Sequence, residues 1–252
     1  MNKSFDKKYA QYYDLFNTGK DYKKECNFLE KAFKTYYAPG VRNVLNLGCG
    51  TGVHDMLLAK RGYNITGLDL SIEMIELAKL KRIPNSNFVV GNMSDFSLGR
   101  KYDACISMFA AFGYLTENEQ IESAVKAIRN HLRPKGLFIM DCWNGLGVMK
   151  ILPTTRIKQA DIGDLRIIRT SYPKLHATNH VCDVDFDVRV YKGRKIVDHF
   201  REMHHMRFLF PKEIRKYFED GGFEVLELCK DFRMGSKLDE NDWNLSFIAR
   251  LK

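Results

Sequence analysis

A doubly wound, mostly parallel α/β sheet is the fold this sequence predicts, with an antiparallel β lid inserted late in the chain and a helical lid at its N-terminus. Three observations carry that prediction. From 41 to 142, short apolar runs alternate with helical periodicities, the rhythm of a parallel sheet covered on both faces. The first run, Val44-Leu45-Asn46-Leu47, feeds into Gly48-Cys49-Gly50-Thr51-Gly52 and then a helix from Val53. After 143 the period becomes a strict alternation: Cys182, Val184, Phe186, Val188 and Val190 face one way, with Asp183, Asp185, Asp187 and Arg189 facing the other. On this pattern 1–40 is the helical lid, 41–142 with 210–252 the core, and 143–209 the inserted strands.

In chain order, Tyr9, Tyr12, Tyr13 and Phe16 share one helical face that something must cover, either the main domain or a ligand pocket below a lid. Asp21 starts a second helix that runs to about Tyr37 and stops at Pro39-Gly40. Strand 43–47, helix 53–61, strand 64–69, a helix capped by Ser71, and strands 87–91 and 102–108 follow. A helix at 117–131 leads through Pro134-Lys135-Gly136 to strand 136–142. Gly145 and Gly147 punctuate a loop, and 164–172, 181–191 and 195–209 read as antiparallel strands. Helix 211–220 and strands 223–229 and 243–250 close the sheet.

The 252 residues fit one α/β domain with an insertion. Forty Lys and Arg against 31 Asp and Glu give a net charge of +9, which suits an anionic partner or simply a solvated basic surface. The six cysteines lie far apart with no C-x-x-C, so neither a zinc site nor a disulfide scaffold is suggested. No apolar leader or membrane-length run is seen, and a soluble cytoplasmic protein is expected, with no membrane partner.

Ligands in such sheets bind at the carboxyl ends of the strands. Asp69 ends the second strand, where a carboxylate can accept two hydrogen bonds from a ribose diol. Asn92 and Met93 end the third, where an amide and a thioether suit a purine base. Met108-Phe109 ends the fourth; soft sulfur and an aromatic ring suit a cationic centre such as a sulfonium. The glycine spacing is G-x-G-x-G, and Val53 stands where a dinucleotide fingerprint needs glycine.

On these residues the chain resembles the class I S-adenosylmethionine-dependent methyltransferases. More closely, it is similar to the bacterial N,N-dimethyltransferases of nucleotide-linked 3-amino-deoxysugars. The matching stretches are Tyr13-Asp14-Leu15-Phe16 with Lys20-Asp21-Tyr22, Cys49-Gly50-Thr51-Gly52 with His54, Gly91 and Met93 through Asp95-Phe96, Leu98 through Lys101, Met108-Phe109, Gly113-Tyr114-Leu115, and more weakly His205 through Phe210. The resemblance implies a Rossmann-like core with S-adenosylmethionine as cofactor. It implies that Tyr13 reaches toward the cofactor, Asp69 holds the ribose, and Asn92 with Met93 holds the adenine. Gly48, Cys49, Gly50, Leu70, Met74 and Met108 complete the expected cofactor set. Asn46 stands where many methyltransferases carry an acid for the cofactor's ammonium. Asn17 and Cys142-Trp143-Asn144 depart from the family near the acceptor.

Methyl transfer from a sulfonium needs alignment and exclusion of water. A neutral amine needs no base, whereas a hydroxyl wants one within hydrogen-bonding reach. Candidate bases are His204, His205, Tyr114 and Tyr13; adjacent strand residues point oppositely, so one of the two histidines faces any one pocket. Tyr13, Tyr114 and His205 form the expected catalytic set. No metal is expected, and the Asp183, Asp185 and Asp187 face reads as solvated. The expected activity is transfer to the nitrogen of a nucleotide-linked amino sugar. The alternatives are O-methylation of a sugar or other metabolite, or a non-catalytic cofactor- or partner-binding module. Met108-Phe109-Ala110-Ala111 lacks the Asn/Asp-Pro-Pro-aromatic tetrapeptide of base-amine methylation, so no nucleic acid partner is expected. The inserted edge strands leave a homodimer open.

Overall fold

The computed structural model describes residues 5–252. Two helices come first, α1 (Lys7–Phe16) and α2 (Tyr22–Tyr36), with Asp6 and Asp21 accepting the backbone N–H groups of Tyr9 and Lys24 as N-caps. The β-α units follow: β1 (Asn43–Leu47), α3 (Val53–Ala59), β2 (Asn64–Asp69), α4 (Ile72–Leu80), β3 (Ser86–Val90), β4 (Tyr102–Ser107), α5 (Asn118–His131) and β5 (Leu132–Trp143). Then come α6 (Gly145–Ile151), β6 (Arg156–Ile162), β7 (Leu165–His176), β8 (Val181–Lys192) and β9 (Lys195–Arg207). The chain closes with α7 (Pro211–Asp220), β10 (Phe223–Lys230) and β11 (Asn244–Leu251).

Seven strands form one sheet in the order β10-β11-β5-β4-β1-β2-β3, parallel except for β11, which runs antiparallel to both neighbours. Strand order reverses between β1 and β4, so their carboxyl ends open a crevice. Alternation along each strand feeds two cores. Val44, Ala104, Ile106 and Ile139 pack with Phe33 and Leu58 on one face. Leu45, Leu47, Cys105, Phe138 and Phe247 pack with Ile128 and Phe218 on the other. Each fully buried Leu or Phe contributes roughly 1.5–3 kcal/mol.

A second sheet, β6-β7-β8-β9, is antiparallel throughout. It covers the aromatic stripe of α1: Tyr9 stacks on Phe186 with ring centroids 5.9 Å apart, and Tyr12 stacks on Phe200, also at 5.9 Å. Lys8 closes the contact with Asp198 at 2.7 Å.

Two elements differ from the sequence expectation. Residues 145–151 are a helix rather than a loop: Asn144 is completely buried, accepts from the Leu146 N–H, and donates to the Asp239 and Asp242 carbonyls. Gly147 is required there because a Cβ would run into the Asp242 carbonyl. The inserted unit also has a fourth strand, β6, along its edge. Among the described residues, no helix is long and apolar enough to cross a membrane.

Candidate active site

The glycine turn after β1 is held open by backbone geometry. Gly48 has φ +70°, and a Cβ there would stand 2.6 Å from the Ala111 Cβ. Gly50 has φ +56°, and a Cβ there would lie 3.8 Å from the Tyr13 ring. Both conformations favour glycine. Asp69 ties the turn to β2, one carboxylate oxygen accepting from the Gly50 N–H at 2.8 Å and the other from the Ser71 N–H at 2.9 Å. Burial raises its pKa against those backbone donors. Each oxygen retains a lone pair, which suits a diol. Leu70 is widely exposed beside it, whereas Met74 and Met108 are core residues. Asn92 accepts from the Ser94 N–H and hydroxyl, leaving its NH₂ group outside those bonds. The Met93 methyl would lie 3.3 Å from a Cβ on Gly48. This donor set and its glycine cradle fit the expected cofactor.

Asn46 does not line the crevice. It is buried and donates from its NH₂ group to one Asp55 oxygen of α3 at 2.8 Å, while the Asn46 oxygen and the second Asp55 oxygen are buried with no partner. Cys49 is buried as well, and desolvation holds its thiol well above the usual range. Nearby, Lys20 contacts Glu25, which reaches His54 at 2.6 Å. Burial pushes Glu25 up, but His54 and Lys20 outweigh it and hold the carboxyl low.

After β4 the backbone is strained. Phe109 and Ala110 are consecutive non-glycine residues with φ +61° and +56°. Asp141 of β5 accepts from both N–H groups, at 2.5 and 3.0 Å, and so clamps the turn. The Lys20 ammonium lies 4.2 Å over the Phe109 ring.

The third group comes from the second sheet. The Tyr114 hydroxyl lies 2.6 Å from His204 Nδ1. Nε2 of the same ring is 3.1 Å from a Glu202 oxygen, off the line of a good hydrogen bond, so that contact is mainly electrostatic. All three side chains are buried or nearly so. Phe5 caps them, its N–H donating to Glu202 at 2.5 Å and its ring edge-on to Tyr114 and His204. Burial pushes the Tyr13 and Tyr114 phenols well above the usual range, so both stay protonated. Tyr114 is therefore the donor to Nδ1, which leaves the ring proton on Nε2 facing Glu202.

Of the residues read from the sequence, the structure brings Tyr13, Gly48, Gly50, Asp69, Met93 and Tyr114 to one crevice. It brings His204 there rather than His205. The register pairs Val184 with His204 on the inner face and Asp183 with His205 on the outer. His205 accordingly sits exposed and bonds Asp183 at 2.6 Å. Glu202, Asp55 and Asp141 were missed; Glu202 shares the parity of His204, and that is the signal by which it was findable.

Asp55 and Asp141 are each pushed up to about 7, burial being the largest cause. Both exceed the ordinary 3.8, so between about pH 4 and 7 the folded chain holds protons that the unfolded chain has released. Stability from this source is full below about pH 4 and is lost as pH rises through about 7. The low-held Glu25 acts only below this window. Thermal unfolding should therefore give a lower Tm at pH 8 than at pH 6, and Asp55→Asn should flatten the slope. An unchanged slope in the variant would sink the assignment.

This geometry resembles the fold of the class I methyltransferases, and the comparisons agree. Residues 44–136 match the methyltransferase domain family. The chain resembles two curated enzymes. The first is the dTDP-3-amino-3,4,6-trideoxy-alpha-D-glucopyranose N,N-dimethyltransferase of Streptomyces venezuelae, 36% identical over 137 residues, 54% of this chain and 57% of that protein. The second is the dTDP-3-amino-3,6-dideoxy-alpha-D-glucopyranose N,N-dimethyltransferase of Streptomyces fradiae, 34% identical over 136 residues, 53% and 52% of the respective chains. The chain thus spans about half the length of the curated relatives it matches. The crystal structure of Streptomyces venezuelae DesVI superposes with TM-score 0.81 at 26% identity, covering 97% of this chain and 98% of that one.

Proposed function

We propose that this protein is an S-adenosylmethionine-dependent methyltransferase acting on the amino nitrogen of a nucleotide-linked amino sugar. The observation that carries the reading is the Tyr13 ring beside the Gly50 turn, with Phe5, edge-on to both Tyr13 and Tyr114, joining that cradle to the Tyr114–His204 pair. The names of the two Streptomyces relatives supply the acceptor class.

When bound, S-adenosylmethionine supplies an electrophilic methyl group. Gly48, Gly50, Asp69, Leu70, Asn92 and Met93 would hold it, and Tyr13 would exclude water above it. Tyr114 and His204 handle the acceptor's proton. As an ammonium N–H gives its proton to the Tyr114 oxygen, the phenol's own proton moves to His204 Nδ1. The imidazolium then faces the Glu202 carboxylate, the orienting third group of a base relay. The amine then presents a free lone pair, and the bound cofactor would supply the methyl group, its carbon–sulfur bond breaking as the carbon–nitrogen bond forms. The chain's residues therefore accept one proton per transfer and hold no covalent intermediate. The same relay suits a hydroxyl acceptor, which makes O-methylation the second reading.

Two measurements test this. Isothermal titration should show S-adenosylmethionine binding; no heat at millimolar cofactor would end the methyltransferase reading. A mass-spectrometric screen of amino-sugar nucleotides against hydroxylated sugars should then show methyl gain on the amines. Gain only on the hydroxylated set would select the second reading.

A further inference from the structure

The two faces of the antiparallel sheet treat charge differently. On the outer face four cations meet carboxylates: Arg166 with Asp161, Arg189 with Asp187, Arg201 with Asp185, His205 with Asp183. On the inner face, three cations at the β6–β7 edge have no carboxylate within ion-pair distance among the described residues. Lys158 is the direct cross-strand partner of Arg169, so the two share a face. Arg169 defines that face, since it bonds the Tyr9 hydroxyl at 3.1 Å and lies 4.4 Å over the Phe186 ring. The register Arg156↔Ser171↔Phe186 adds Arg156 to it.

Like charges directly opposite on a sheet destabilise it, and neither Lys158 nor Arg169 is ion-paired to a carboxylate among the described residues. The Arg169 Nε is buried without a partner. Partial desolvation, then Arg169, then Lys20 pull Lys158 below the ordinary lysine range, so positive potential converges on it from both sides. The cluster adjoins the candidate active site: Phe186, under Arg169, lies 4.8 Å from the His204 ring.

We propose that Lys158 and Arg169, with Arg156 at the rim, form an anion subsite for a diphosphate group. The subsite holds the phosphate end of the acceptor while the reacting group reaches Tyr114. It rests on the proposed methyl transfer for its purpose, but not for its existence. Arginine supplies a forked pair of donors and lysine a point charge, a combination suited to phosphate oxygens.

The test titrates inorganic pyrophosphate into the full chain by calorimetry, with S-adenosylmethionine titrated in parallel. Lys158 is exposed, so its variants should fold. Lys158→Glu is expected to weaken pyrophosphate at least about tenfold and to leave S-adenosylmethionine binding unchanged. Lys126→Glu, on the exposed face of α5, makes the same charge change and should alter neither. Without ligand, Lys158→Ala should raise Tm by about 1–3 °C as the like-charge pair is relieved; a fall in Tm overturns the claim that the pair is unfavourable on its own. Equal weakening by Lys158→Glu and Lys126→Glu overturns the subsite, because pyrophosphate would then be sensing only net charge. If S-adenosylmethionine binds and pyrophosphate ignores Lys158, the subsite fails and the methyltransferase reading stands. If pyrophosphate depends on Lys158 and S-adenosylmethionine does not bind, the subsite stands and the methyltransferase reading fails.

Discussion

His204→Gln should lower methyl transfer by about 10²–10⁴-fold, the range for a positioned acid–base group. S-adenosylmethionine affinity should stay within about twofold, because the ring lies on the acceptor side of the crevice. Tyr114 loses its proton acceptor at Nδ1, 2.6 Å away, and Glu202 loses the Nε2 group it faces at 3.1 Å. Tyr114→Phe removes the same relay from its other end and should cost a similar factor; the two losses together should fall well short of additive. Because the relay takes a proton from the acceptor, the deficit should shrink as pH rises and the amine arrives deprotonated. His205→Gln should change the rate little, since that side chain is exposed against Asp183. Stopped assays with mass detection across pH read all three variants. A His204→Gln rate near that of the parent at every pH would mean the relay is a bystander.

Asp141→Ala is expected to destabilise the fold by about 2–4 kcal/mol, from two N–H groups left without acceptors and a tandem left-handed turn released from its clamp. The carboxylate holds Phe109 and Ala110 in conformations their side chains disfavour. Glycine at both positions in the Asp141→Ala background should recover part of the loss, because glycine adopts positive φ without strain. Urea unfolding at pH 8, where Asp141 is mostly ionised, measures it. A loss under about 0.5 kcal/mol, the usual surface value, would show that the turn holds itself.

The Gly48–Gly50 turn and Asp69 were legible because their chemistry is local: positive φ, close approach, and a carboxylate at a strand end. The histidine pair was legible only to parity. Adjacent strand residues oppose each other, but which one faces inward depends on the Val184↔His204 register. Asp141 was invisible for a related reason: its acceptors meet Phe109 and Ala110 only because β5 lies beside β4. The β6 strand was missed because it is an edge strand, exposed along nearly all of its length, with no buried alternation to read. Helix α6 was missed because Gly145 and Gly147 argue against a helix locally, and the buried Asn144 overrides them from outside the segment.

In the proposed function one crevice holds the cofactor at the glycine turn and presents its sulfur to the Tyr114–His204 pair. A crystal structure with S-adenosylhomocysteine tests it most directly. The ribose diol is expected on Asp69, the amino-acid end over Gly48–Gly50, and the sulfur facing Tyr13 and Tyr114. A ribose away from Asp69, or a sulfur turned from Tyr114 toward another face of the protein, would contradict it.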